Sequence, residues 1–285
     1  MNKEQEKRSR SLLREETIEM LPQVHQDALW LLEDLGVGCK QPMTQGGFHK
    51  NNLPGSRSMT RIEVKPTLET SELARLFGGK KSPRFSHNVK MKVEKLKVKL
   101  SELLKPLLYY RRDKIEMASR DFVHLSGGLS LRSRKLSKSM ENCEEIVCFI
   151  ATVGNKVESQ TKRLMEENRL SEAYILDAMG SVAVENMVEK FHRRMMSKYE
   201  MEGKGVTLPF SPGYCDWPLS DQKKLFSVFD LFHLKVKLTD SCLMLPRKSI
   251  SGVFGVIPSC VSLPVRSYNP CSECEKRDCI VRRSC

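Results

Sequence analysis

The sequence has no hydrophobic run long enough to cross a membrane. Its longest apolar stretch is IVCFIATV, residues 146–153, whereas a spanning helix needs about 20 such residues. The opening MNKEQEKRSRSLLREE contains no apolar core of the secretory type, so a cytoplasmic protein is expected, with no membrane partner. Aromatic residues are few, at 7%. None sits in a base-stacking strand motif, and zinc-finger spacing and an Arg-rich tail are also missing. Nucleic acid is therefore not an expected partner, despite a net charge of +13. There is no internal repeat and no Ser/His/Asp or Cys/His constellation, so nucleophilic acid–base catalysis has no obvious residues to carry it.

What is present is unevenly distributed. Residues 1–140 hold 28 Lys and Arg against 16 Asp and Glu, while residues 141–285 hold 20 against 19. In HNVKMKVEKLKVKLSELLKPLLYYRRDK the basic residues alternate with Val, Met and Leu. That pattern reads as the solvated faces of amphipathic elements, suited to docking an acidic protein. Of the 10 cysteines, six are scattered, Cys39, Cys143, Cys148, Cys215, Cys242 and Cys260, and most of these read as small buried hydrophobes. The other four, Cys271, Cys274, Cys279 and Cys285, crowd the last fifteen residues. Thiolates so close together can reach one metal, an iron–sulfur cluster or zinc. Their spacing matches neither a paired C-x-x-C zinc ribbon nor the ferredoxin run, and a redox-active or merely exposed terminus is the alternative.

Residues 1–85 are expected to form a basic helical appendage and linker. Val24, Ala28, Leu31, Leu32 and Leu35 lie on one stripe, residues 41–66 are linker-like, and a short helix is placed over 69–77. Residues 86–265 are expected to form the main domain and 266–285 a Cys-rich tail. Val89, Met91 and Val93 alternate like a strand, then Leu96 to Leu108 recur at helical spacing. DFVHLSGGLSLRS is strand-like with a glycine turn, and EEIVCFIATVG reads as a buried strand. Helices are expected over 156–168, 171–198 and 220–233, and strands at SCLML and ISGVFGVI. Without regular βαβ alternation, the class is α+β.

Two local features carry the chemistry. PFSPGYCDWPLSDQ, residues 209–222, places a Pro212-Gly213 turn before Tyr214. It reads either as a helix-entry loop, with Ser220 as N-cap and Trp217-Pro218 as a plug, or as a ligand turn. Asp177, Ser181 and Glu185 stand four apart on one helix face, either a solvated stripe or an attraction for a cationic ligand. Gly180 within that helix is costly unless something packs against it closely.

SPGYCDWPLSDQKKLFSVFDLFHLKVKLTDSCLMLPRKSISGVFGV, with CFIATVGNKVE and LDAMGSVAVENMVEKFHRRM upstream in order, resembles the activation domain of cobalamin-dependent methionine synthase and its stand-alone relatives. The resemblance covers roughly residues 90–260. It implies a twisted antiparallel sheet with packed helices, and a factor that supports reductive methylation of a partner's corrinoid with S-adenosylmethionine. It also implies a corrinoid protein or corrinoid methyltransferase as partner and a reductant such as flavodoxin or ferredoxin. Ser211, Pro212, Gly213 and Tyr214 match the family's ligand loop, Glu185 its helix carboxylate, and Ser251 and Gly252 the segment returning to the site. Pro209 stands where the family has an arginine for the ligand's carboxylate, with Arg247 and Lys248 as candidate replacements. The alternative is a non-catalytic adaptor that passes electrons through its tail.

Overall fold

The computed structural model describes residues 59–68, 73, 86–230, 232–259, 268–269 and 271–273. The chain divides into two compact units, one of residues 1–54 and 70–86, the other of 55–69 and 87–285. The expected appendage helix and the short helix over 69–77 lie outside the described residues, apart from Leu73. In the second unit the elements run β1 (Thr60–Ile62), α1 (His87–Leu103), β2 (Leu107–Ala118), β3 (Phe122–Leu125), β4 (Ser130–Arg132), α2 (Arg134–Met140), β5 (Glu145–Thr152), α3 (Lys156–Glu166) and α4 (Leu170–Met201). They continue with β6 (Gly205–Val206), α5 (Asp221–Ser227), β7 (Lys237–Leu238), β8 (Met244–Leu245) and β9 (Ser249–Ile257). No helix among the described residues is long and apolar enough to cross a membrane.

The sheet is antiparallel and mixed with helices, as an α+β fold requires. Its strand order is β4-β3-β2-β5-β9-β6, with β1 also paired to β2. At its centre, β5 pairs with β2 from Thr152↔Leu107 to Glu145↔Lys114 and with β9 from Thr152↔Ser249 to Glu145↔Val256. Side chains on a strand alternate between faces. Ile146, Cys148 and Ile150 enter one core with Trp217, Leu225 and Phe229. Val147, Phe149 and Ala151 enter the other with Ala183, Met187 and Phe191 of α4. Covering both faces explains why β5 reads as an unbroken apolar run rather than an alternating one. Each fully buried Val, Ile or Phe contributes about 1.5–3 kcal/mol, so this strand anchors the domain.

Several elements differ from the sequence reading. The strand-like start at Val89 is helical, because Val93, Leu96 and Leu100, at helical spacing, are the residues α1 buries. Met91, one of the alternating positions, is 60% exposed. The helix does not reach Leu108: Pro106 follows its end, and Leu107 opens β2. That twelve-residue strand, LLYYRRDKIEMA, is masked in the sequence by its charges. Arg111 is nevertheless buried, and its Nη1 donates to Val228 O at 2.6 Å. Within the stretch read as linker, Thr60–Ile62 pairs with Tyr110–Leu108. The helix expected over 220–233 closes at Ser227, although Leu225, Val228 and Phe229 are buried as expected.

Gly255 tests the packing of the sheet against α2. A Cβ there would overlap Cys143 Sγ and stand 2.7 Å from Met140 Sδ. Gly255→Ala is expected to destabilise the protein by about 1–3 kcal/mol through overpacking, read as a lower denaturant midpoint. An unchanged midpoint would contradict this packing.

Candidate functional site

The segment from Pro209 to Ser220 is seated on β9. Phe210 N donates to Val253 O and Val253 N to Phe210 O, both at 2.8 Å. This close approach is possible because residue 252 has no side chain. A Cβ on Gly252 would lie 2.5 Å from Phe210 O, 2.8 Å from Phe149 Cζ and 3.0 Å from Ser211 Oγ. Gly252 and Ser211, far apart in sequence, are therefore in contact. Ser251, beside Gly252, is buried and faces Ile150 across the strand pair.

Beyond Phe210 the chain turns tightly. Tyr214 N donates to Ser211 O at 3.3 Å, Trp217 N to Tyr214 O at 3.1 Å, and Gly213 N to Trp217 O at 2.9 Å. Gly213 has φ 87° and Cys215 φ 57°, a left-handed backbone that glycine adopts without steric cost. Pro212 is buried, while Tyr214 is 48% exposed with Leu219, which lies against Gly213, equally so. The turn thus presents a ring to solvent on a backbone whose Gly213, Tyr214 and Trp217 amides are bonded within it.

Two aspartates clamp this turn, and the sequence reading singled out neither. Asp216 accepts from Ser133 Oγ at 2.7 Å, Arg134 N at 2.8 Å and Lys135 N at 3.2 Å. Asp221, 5% exposed, accepts from Arg132 N at 2.9 Å and from Trp217 Nε1 at 3.2 Å, and pairs with Lys224 at 2.9 Å. The plug role of Trp217 stands, since it is 1% exposed. Ser220 precedes α5, but its side chain makes no capping bond. The available signal was a tryptophan with a carboxylate four residues on, at the start of a helix.

The helix stripe is divided. Lys248 Nζ lies 2.8 Å from Asp177 Oδ2 and 3.0 Å from Ser181 Oγ, and Lys248 N donates to Glu158 Oε1 at 3.0 Å. Asp177 and Ser181 are thus engaged by a residue of the protein, and Lys248 is committed to them rather than to replacing the missing arginine. Gly180 is explained by the same packing: its Cβ would stand 2.9 Å from Val157 Cγ1 and 3.3 Å from Lys248 Cγ. Further along α4, His192 Nε2 lies 2.8 Å from Thr207 O, and its ring stands 5.1 Å from that of Phe254. Glu185 is exposed and belongs to the stretch of α4 between these two contacts, where the helix runs beside β9.

Of the tail cysteines, Cys271 is described and half-buried; Cys274, Cys279 and Cys285 lie outside the described residues. Among the described residues no group of three or more His, Cys, Asp or Glu side chains is placed to hold a metal.

A family model for the activation domain of vitamin B12 dependent methionine synthase matches residues 111–266. The chain belongs to this family. The activation-domain match spans β2 through β9, including the turn, its clamp and Gly252. Among solved structures the chain is similar to the crystal structure of the MetH reactivation domain bound to AdoHcy. The identity is 14% and the TM-score 0.53, over 70% of this chain and 78% of that one. At that identity the likeness is one of fold. No curated protein matches the chain significantly.

The clamp makes a pH prediction. Burial alone pushes the Asp221 carboxyl up, but Lys224, the Arg132 amide and the Trp217 indole together hold it below the usual carboxylate range. A group whose pKa is depressed by folding contributes stability above its unfolded value, and that contribution is lost as pH falls through the folded one. The wild type should lose stability as pH drops below about 4, and Asp221→Asn should flatten that limb while lowering stability at neutral pH. Parallel acid limbs in the two proteins, measured by denaturant titration at several pH values, would contradict this role.

Proposed function

We propose that this protein is a reactivation factor for a corrinoid-dependent methyltransferase, binding S-adenosylmethionine at the Ser211–Tyr214 turn and facing a corrinoid carried by a partner. The observation carrying this reading is the turn itself: an exposed Tyr214 on a backbone fixed to β9 at Gly252, the strand against which α4, the helix that exposes Glu185, also packs. S-adenosylmethionine would supply an activated methyl group on a sulfonium sulfur. The protein's work is then alignment rather than acid–base chemistry, in keeping with the lack of a catalytic constellation. Tyr214 would stack on the nucleoside and Glu185 would meet an ammonium or ribose hydroxyl. Because the amides of Gly213 and Tyr214 and the carbonyls of Ser211 and Tyr214 are used within the turn, the Pro212 and Gly213 carbonyls are the backbone groups that would meet the ligand. Ser251 and Gly252 act from below by setting the turn's height. The corrinoid partner is a methyltransferase or its corrinoid protein, and the electron comes from a flavodoxin- or ferredoxin-type reductant.

Pro209 makes the affinity low. Removing one partner of a buried charge pair costs about 2–5 kcal/mol, roughly 1.5 to 3.5 powers of ten, and Lys248 is already held by Asp177. The same substitution favours a second reading, an adaptor that docks on a corrinoid protein without binding the methyl donor. In either reading the four-cysteine tail is a thiolate metal site, an iron–sulfur cluster or zinc.

Calorimetry with S-adenosylmethionine separates the two readings. A dissociation constant of about 10⁻⁴ M or weaker is expected. Pro209→Arg should tighten it, while Glu185→Ala and Tyr214→Ala should weaken it and slow methylation of a reduced corrinoid protein. Absence of binding by both wild type and Pro209→Arg, with reactivation unchanged in Glu185→Ala, would replace the first reading with the adaptor.

A further inference from the structure

α1 is packed on one side and open on the other. Val93, Leu96 and Leu100 are the residues it buries, and Lys92 Nζ donates to Ser171 Oγ of α4 at 2.7 Å. The open side carries Met91 and Val98, 60% and 68% exposed. A single apolar side chain in water is ordinary, but these two stand seven residues apart on one stripe of the helix, about 10 Å along its axis. Lys95 lies between them on the same stripe. Beside it a cleft of about 340 Å³ separates α1 from α3 and the start of α4. Leu96 and Leu164, both buried, line it together with the exposed Val98, and Lys95, Lys99 and Arg169 add positive charge.

The charges here do not balance. α1 carries Lys90, Lys92, Lys95, Lys97 and Lys99 against Glu94 and Glu102. Lys97 pairs with Glu94 and Lys99 with Glu102, each at 3.1 Å. Glu102 and Glu172 also line the cleft, but Glu172 is held by Arg169 at 2.6 Å, which Glu167 meets at 2.9 Å. Lys90, Lys92 and Lys95 form no ion pair among the described residues, Lys92 bonding only the neutral Ser171. Lys90 and Lys92 flank Met91 in sequence, so the apolar stripe has a lysine to either side of it. α1 also precedes the family match, which begins at residue 111, so this face is not part of the ligand turn.

We infer that this face of α1 is a docking surface for an acidic amphipathic helix of a partner protein. Apolar side chains seven residues apart on that helix would lie on Met91 and Val98, with one entering the cleft over Leu96 and Leu164. Its carboxylates would meet Lys90, Lys92 and Lys95. The apolar contacts supply the affinity, while the lysines, at a solvated rim, set the rate of encounter and the choice of partner. A nucleic acid would answer the lysines but leave Met91 and Val98 in water, which is why the pattern favours a protein. The inference is independent of S-adenosylmethionine binding at the turn.

The test titrates the full-length protein into a fluorescein-labelled synthetic helix with Leu at i, i+3, i+4 and i+7 and Glu and Ala elsewhere. Binding is read by fluorescence anisotropy at about 0.15 M salt. Wild type should bind, and more weakly as salt rises. Lys95→Glu should weaken binding roughly tenfold, since it turns attraction into repulsion, and Val98→Ser roughly fivefold through lost apolar contact. Lys237→Glu, at an exposed lysine of β7, makes the same change in net charge and should bind like wild type. All three should unfold at the wild-type temperature, because each of these side chains is exposed. A peptide with Ser at the Leu positions should bind about tenfold more weakly, and a single-stranded oligonucleotide no better than that control. If wild type does not bind the Leu peptide, or if Lys95→Glu and Val98→Ser bind it as wild type does, the inference fails. It fails equally if the Ser peptide or the oligonucleotide binds as tightly as the Leu peptide, since the face then attracts any polyanion.

Discussion

The architecture of the candidate site depends on one missing side chain. Gly252 lets the carbonyl of Phe210 approach β9 to a distance that any Cβ would forbid, and the paired Phe210–Val253 hydrogen bonds follow from that approach. Everything after Phe210 inherits this position. The Pro212-Gly213 turn, the buried Trp217 and the two aspartates form a rigid connection from the central sheet to α2 and α5. The ring of Tyr214 is what this connection leaves exposed. A loop whose ends are tied by backbone bonds and whose middle is clamped by the Asp216 and Asp221 carboxylates loses little freedom on binding a ligand, which is where preorganisation gains affinity.

The electrostatics support the same division between scaffold and site. Asp177 and Ser181 are taken by Lys248, whose stem fills the space that Gly180 leaves open. That bridge holds the start of β9 to α4 and so sets the strand carrying Gly252. Glu185, one turn further along, is the exposed member of the stripe. A stripe that looked uniform in sequence therefore divides, with Asp177 and Ser181 serving the scaffold.

The parts of this fold legible in the sequence are those where one physical signal dominates. The unbroken apolar run of β5, the amphipathic period of α4 and the glycine turn between β3 and β4 each declare their element. β2 was hidden because Arg111-Arg112-Asp113-Lys114 looks like a solvated surface, and only the fold shows Arg111 bonding the carbonyl of Val228. β1 was hidden because a three-residue edge strand in a Gly-rich stretch carries almost no periodicity. Within the site, Tyr214 and Glu185 came from matching family motifs, and Gly252 from the segment that returns to them. The clamp of Asp216 and Asp221 was not legible, since both carboxylates act on residues more than eighty positions away, at Arg132 to Lys135.

The central claim is that the seating of the turn on β9 creates the binding surface, and Gly252→Ala tests it most directly. The added methyl displaces the Phe210 carbonyl and the turn with it while leaving Tyr214 and Glu185 chemically intact. Calorimetric titration with AdoHcy of wild type and Gly252→Ala, with unfolding curves recorded alongside, is the measurement. The account predicts that wild type binds and that Gly252→Ala loses most of that affinity while remaining folded. Equal affinity in the two proteins would contradict it.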